Sequence, residues 1–186
     1  MTISTPTTAG QILTSAYVNN NINSGLVYID SVTVTSNTTG TIENCFSSTY
    51  RDYLVNVDVT GGTANSELEM YLRVSSTNAV TNYNYSQFGT LPNGTANNSS
   101  TGGNDTKIPI TFIPATQQIS ASYFIGQPNL AAFSSFNGPW VYDDGGTAIH
   151  RTTIGRHRTA TAYTGIQIKT GTAWTGLITV YGFRIA

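Results

Sequence analysis

Few side chains in this 186-residue chain have the types and spacing for chemistry, and they fall into small groups. Glu67 and Glu69 are the closest carboxylate pair, and two carboxylates can serve as acid and base in glycoside hydrolysis. Alternation puts both, together with Arg73, on the wet face of one strand. Nothing nearby in sequence would raise one carboxyl as catalysis requires, so the pair reads as charged surface. Asp143 and Asp144, ahead of Gly145 and Gly146, could offer oxygens to calcium. Asp-Gly is also a hairpin-turn signal and no regular ligand spacing follows, so a turn is preferred. His150 and His157, with Arg151, Arg156 and Arg158, make the one positive cluster. Zinc would need a third ligand at a defined spacing, and none is evident. The cluster is therefore either an Arg-rich β edge in solvent or a contact surface for an acidic partner or an anionic sugar. There is no G-x-S-x-G elbow and no glycine-rich phosphate loop. The expectation is a non-enzymatic chain with no catalytic residues, no metal and no cofactor.

Phe133, Phe136, Trp140, Tyr142, Tyr163 and Trp174 could stack on sugar rings at a loop rim or fill a core. Large aromatics in a β-sandwich more often do the latter. Trp140, inside the loop-like run GPWVYDD, is the expected exception. Candidate surface recognition is thus assigned to Trp140, Tyr142, Arg151, Arg156 and Arg158.

The elements that must position these residues are mostly strands. Leu68, Met70, Leu72 and Val74 alternate with Glu67, Glu69, Tyr71 and Arg73, and Tyr53, Val55, Val57 and Val59 alternate with Asn56, Asp58 and Thr60; period two marks strands with one buried face. Gly61 and Gly62 predict a hairpin between the two. Further strands are expected at 26–34, 40–46, 107–113, 119–125, 139–142, 147–154, 162–170 and 176–185. The run 89–106, GTLPNGTANNSSTGGNDT, offers almost nothing to bury and predicts an exposed loop. The fold class expected is all-β, an antiparallel β-sandwich or jelly roll over 26–186 with a short N-terminal helical arm over 1–25.

That arm is the one helix-like segment. Thr8 and Gln11 fit a capping box, and Ile12, Leu13, Ala16, Tyr17 and Ile22 form an apolar stripe at helical spacing. Gly25 sits where a C-terminal cap is expected. An isolated helix of this length is marginal in water, so the stripe is read as an anchor onto a partner or another copy.

Charged residues make up only 9% of the chain, with net charge -1 and two lysines, Lys107 and Lys169. Nucleic-acid binding draws on Lys and Arg to replace counterions, so no nucleic-acid partner is expected. No apolar run approaches the ~18 residues that span a bilayer, and no membrane association is expected. Cys45 is the single cysteine and is expected to be buried as a small hydrophobe.

DSVTVTSN (30–37), STYRDYLVNVDV (48–59), LEMYLRVSSTNAVTNYNY (68–85) and TAWTGLITVYGFRIA (172–186) occur in this order. Together they resemble β-sandwich modules of tailed-bacteriophage virion proteins, in which a Thr-Tyr turn leads into a hydrophobic strand, a Leu-Arg strand runs to an Asn-Tyr pair, and the terminal strand carries Tyr-Gly. The arm segment AGQILTSAYVNNNINSG is likewise similar to the starts of phage appendage proteins. The resemblance implies a structural or appendage protein located in the virion, with other virion proteins as partners and a homotrimer as the favoured assembly. Capsid decoration and recognition of a host surface glycan are the alternative roles.

Overall fold

The computed structural model describes residues 25–90, 94–96, 99–100, 104–113, 115, 118–143 and 148–184. The helix-like segment, with Ile12, Leu13, Ala16, Tyr17 and Ile22, lies outside the described residues. Within them the chain is all-β and antiparallel, with no helix. The strands are β1 Leu26–Ile42, β2 Tyr50–Gly62, β3 Ser66–Val74, β4 Thr77–Asn78, β5 Tyr83–Thr90, β6 Ser99–Ser100, β7 Ile108–Ile113, β8 Ile119–Gly126, β9 Ser134–Asp143, β10 Ala148–His157 and β11 Gly165–Arg184.

One long strand organises them. β11 keeps β1 along one edge, from Leu26 opposite Phe183 to Ile42 opposite Ile166. Its other edge is shared: Gly165 to Thr170 pair with β3, and Trp174 to Arg184 pair with β2. The sheet therefore forks into two limbs. The larger runs outward from β11 through β2, β8, β9, β10 and β5 to β6; the smaller runs from β11 to β3, which carries β4 and β7 on its far side. The limbs curl toward each other and are tied across the interior. Tyr123 donates its hydroxyl to Ile110 O at 2.8 Å, and the Leu72 N–H donates to the Tyr83 hydroxyl at 3.0 Å.

The alternation read in β2 and β3 is present, with Tyr53, Val55, Val57, Val59, Leu68, Met70 and Leu72 all buried. Burying a large aliphatic contributes about 1.5–3 kcal/mol, and these residues join Ile166, Ile168, Ile178 and Trp174 in one core. Cys45 is in that core too. Burial pushes its thiol up to about 12.

Several expectations change. β2 and β3 do not form a hairpin: Gly61 and Gly62 pair with Thr175 and Trp174 of β11, so the chain turns a corner from one limb to the other. The strands expected at 26–34 and 40–46 are one strand, β1, and those at 162–170 and 176–185 are likewise one, β11. In both, the pattern breaks at the corner, where β1 carries register shifts between Val34 and Thr39 and Ser36 adopts φ 46°. The run 89–106 is not loop throughout, because β6 pairs with β5 at Ser86–Ser100 and Gln87–Ser99 and Asp105 bridges to Tyr83. Arg73 does not lie in solvent. It is 8% exposed, ion-paired with Glu43 at 2.8 Å and donating to Ser76 O at 2.6 Å and to Asn78. The two-residue turn at Ser75 and Ser76, both at positive φ, folds β4 back so that Asn78 covers it, as a type I′ hairpin does.

Candidate ligand cleft

β10 is paired on both sides, with β9 and with β5, so it is not an edge strand. Two-residue alternation then divides the arginine cluster. Ile149, Thr153 and His157 point inward and are buried, with half-buried Arg151 on the same face; His150, Ile154 and Arg156 point outward and are exposed. Arg158 follows the strand and is exposed. Arg156 lies over the exposed Phe133 ring, 5.8 Å from its centroid. The expected positive cluster is therefore two separate surfaces, and His157 belongs to neither.

Trp140 is not a loop-rim aromatic. It is 3% exposed, in the middle of β9, on the same inward row as Phe136. The Gly138-Pro139 pair that reads as loop is tolerated because the β8–β9 ladder lapses there, between Ala121–Trp140 and Phe124–Asn137. Proline cannot donate to a ladder, and the side facing β8 has no bond to lose. Of the other aromatics, Phe136, Tyr163 and Trp174 are core residues, Phe133 is exposed and Tyr142 is half-buried.

Thr153 fixes the inward face. Its Oγ1 accepts from Trp140 Nε1 at 3.2 Å and from Gln87 Nε2 at 3.1 Å, and donates to Pro109 O of the opposite limb at 3.3 Å. One hydroxyl has one donor and two lone pairs, and all three are used. The indole and the Gln87 amide are thereby held in single orientations. Gln87 Oε1 faces Arg151 Nη1 at 3.5 Å, and the Arg151 guanidinium lies over the Trp140 ring at 5.5 Å. Tyr142 stacks on Trp140 from β9 at 5.7 Å and 26°, and Phe112 of β7 meets Tyr142 at 6.0 Å.

Gln87, Trp140 and Arg151 line a cleft of about 290 Å³ between the limbs, to which Glu67, Pro109, Thr111 and Phe112 contribute the opposite wall. Glu67 and Glu69 share one ammonium: Lys107 Nζ donates to Glu69 at 2.6 Å and also to Glu67. Burial pulls Lys107 down, but the hydrogen bonds and charges of the two carboxylates outweigh it and hold the amine above its ordinary value. One ammonium shared by two carboxylates leaves the trio with a net negative charge. A larger hollow of about 490 Å³ lies on the outer face, beside Phe88, Val141, His150 and Thr152. Trp140 and Arg151 line it as well.

The structure thus brings together Trp140, Tyr142 and Arg151 from the expected recognition set and leaves Arg156 and Arg158 apart. It adds Gln87, Thr153, Thr111, Phe112 and Glu67. The signal for two of these was available in sequence: Gln87 and Thr153 are polar residues on inward rows that also hold Tyr83 and His157. Among the described residues no three His, Cys, Asp or Glu side chains group as a metal site.

No family model matches the chain and no curated protein is matched. Among solved structures the galectin LEC-6 of Caenorhabditis elegans is similar at TM-score 0.37 and 10% identity, covering 81% of this chain and 94% of that chain. So slight a likeness carries no argument about the ligand.

Proposed function

We propose that this chain is a non-enzymatic structural protein of a tailed-bacteriophage virion. The body is a jelly-roll-like β-sandwich displayed outward and held to the particle by residues 1–25, as a fibre, tail or head appendage or as a capsid decoration. The observation that supports this reading best is the polarity of the body. The chain comes into it at Leu26, opposite Phe183, and the same hydrogen-bonded row continues through Asp52, Gly126, Ser135 and Arg156. Trp140 lies five residues further along β9 than Ser135, about 17 Å at ~3.4 Å per residue. A body fastened at one end with its cleft at the other suits display. The segments that resemble phage modules are also neighbours, since 30–37 lies in β1 and 48–59 mostly in β2, on either side of 172–184 in β11.

Attachment would come from Ile12, Leu13, Ala16, Tyr17 and Ile22, where each large apolar side chain buried contributes about 1.5–3 kcal/mol before ordering costs. Closed cyclic assemblies are the common form of homo-oligomer, and a trimer is the favoured one. Mass spectrometry of purified particles is expected to find the chain at fixed stoichiometry; its absence from them sinks the virion reading. Deleting residues 1–25 is expected to leave a folded β body that neither oligomerises nor joins the particle, and normal assembly of the truncated chain would refute the anchoring role.

A second reading, recognition of a host surface glycan, is favoured by the cleft itself. It combines aromatic rings with a fixed amide, a guanidinium and a carboxylate in a space at the small end of the ~300–1,000 Å³ range of ligand sites.

A further inference from the structure

We propose that the cleft between Trp140, Arg151 and Phe112 binds a saccharide bearing a carboxylate, one pyranose ring at a time; this rests on the glycan-recognition reading and specifies its ligand class. The central observation is the state of Arg151. It is half-buried, stacked on Trp140, and its Nη1 is turned toward Gln87. Its Nε–H is sheltered from water without an acceptor, and among the described residues no carboxylate pairs with it. The two cations that do have described ion pairs, Arg73 and Lys107, hold their carboxylates at close range. A guanidinium in a partly desolvated site calls for a counter-charge, and a carboxylate matches its planar fork better than any other oxygen ligand.

The remaining walls fit a sugar. Phe112 is 38% exposed at the rim and meets Tyr142 at 54°, giving the C–H face of a pyranose an apolar platform. Trp140 is already covered by Arg151 and Tyr142, so it supports the platform from beneath. Glu67 and Thr111 offer acceptors to ring hydroxyls on the opposite wall. Lys107 is shared between Glu67 and Glu69 and offsets only part of their charge, so the ligand's carboxylate is placed at Arg151 and its hydroxyls toward that wall. Gln87 holds Arg151 in place and is itself locked by Thr153. Because the site is assembled from side chains already locked by packing and hydrogen bonds, little ordering is needed on binding.

The test uses the full-length chain labelled with nitrogen-15, titrated by NMR with glucuronic acid, galacturonic acid and N-acetylneuraminic acid. Glucose, galactose and acetate serve as neutral and non-sugar probes. At least one acidic sugar is expected to shift the Trp140 indole and Arg151 Nε signals saturably, about tenfold or more tighter than glucose, galactose or acetate, and to weaken with added salt. Arg151→Gln is expected to erase the preference for acid over neutral sugar while the spectrum stays folded. Phe112→Ala, at the exposed rim, is expected to weaken acid and neutral sugars alike. Trp140→Ala is avoided because it removes a core side chain. If neutral sugars bind at this cleft as tightly as acidic ones, the proposal is overturned and glycan recognition stands. If acetate binds as tightly as the uronic acids, the site is an anion hole and the saccharide assignment is wrong. If no sugar binds, both the proposal and glycan recognition fail.

Discussion

His157 is 1% exposed, with Nε2–H donating to Thr81 O at 2.8 Å and the Tyr163 hydroxyl donating to Nδ1 at 2.9 Å. Both ring nitrogens are satisfied in the neutral form, and burial pushes the imidazole below its usual 6.5, against the weaker opposing pull of nearby carbonyls. Just below pH ~6.5 the unfolded chain takes up a proton that the folded chain refuses. The stability this residue contributes is therefore complete above that pH and is lost as pH falls through the depressed folded value. Urea midpoints are expected to drop between about pH 7.5 and about pH 5.5, and to drop less in His157→Gln. Equal drops would remove His157 as a cause. At this scale the sequence was informative about row and misleading about exposure. Trp140 shares its parity with Phe136, which was readable, but Gly138-Pro139 beside it reads as a turn. Only the lapse in the β8–β9 ladder explains why a strand continues through it. Arg73 was assigned to water by the same alternation. What buries it, Glu43 and Asn78, comes from chain segments that alternation in β3 says nothing about.

The strands with a single wet face, β2 and β3, were the most legible elements, because each has one consistent period. The long strands were not. β1 and β11 each read as two strands because the apolar pattern is interrupted by polar and small residues, TSNTT at 35–39 and GTA at 171–173, where the sheet turns from one limb into the other. At that corner Ser36 holds φ 46°, and its N–H donates to Thr175 Oγ1 at 3.1 Å. A left-handed residue without glycine's freedom stores about 1–3 kcal/mol of strain. Ser36→Gly is expected to unfold within about 1 kcal/mol of wild type in urea, since relief of strain offsets the looser unfolded chain. Ser36→Val, branched at Cβ, is expected to lose about 1–3 kcal/mol. If the valine variant is as stable as wild type, the bulge does not set the corner. The failed hairpin between β2 and β3 lies at the same corner: Gly61-Gly62 stays in β2, and the turn that follows at 63–65 leads to the next stretch of β11's edge and not back onto β2.

For the molecule as a whole, both limbs are hydrogen-bonded to the one strand β11 and tied across the interior, so the body is expected to open as one cooperative unit. Cys45, 2% exposed just past the end of β1 and raised to about 12 by burial, reports on that opening, since only an exposed thiolate reacts. Labelling by a thiol reagent in native buffer is expected to be slowed by a factor matching the global unfolding equilibrium measured in urea. Labelling at the rate of an unfolded thiol would show that this end of β1 frays on its own. The low charge of the chain could be read from composition alone, and the all-β body from period-two alternation. The fork was not readable, because it depends on which edge of β11 each strand finds.

The fork also gives the body a mechanical direction. Leu26 and Phe183 are facing partners at the end of an antiparallel pair, so a load pulling residues 26 and 184 apart opens the β1–β11 ladder one rung after another, as a zipper yields. A load between Leu26 and a ligand held at Arg151 crosses the ladders at a slant, with a component along the strands because their rows are offset by about 17 Å. It shears the rungs that join β1, β11, β2, β8, β9 and β10, which then resist together. The same hydrogen bonds that are weak against peeling are strong against a tug on the cleft.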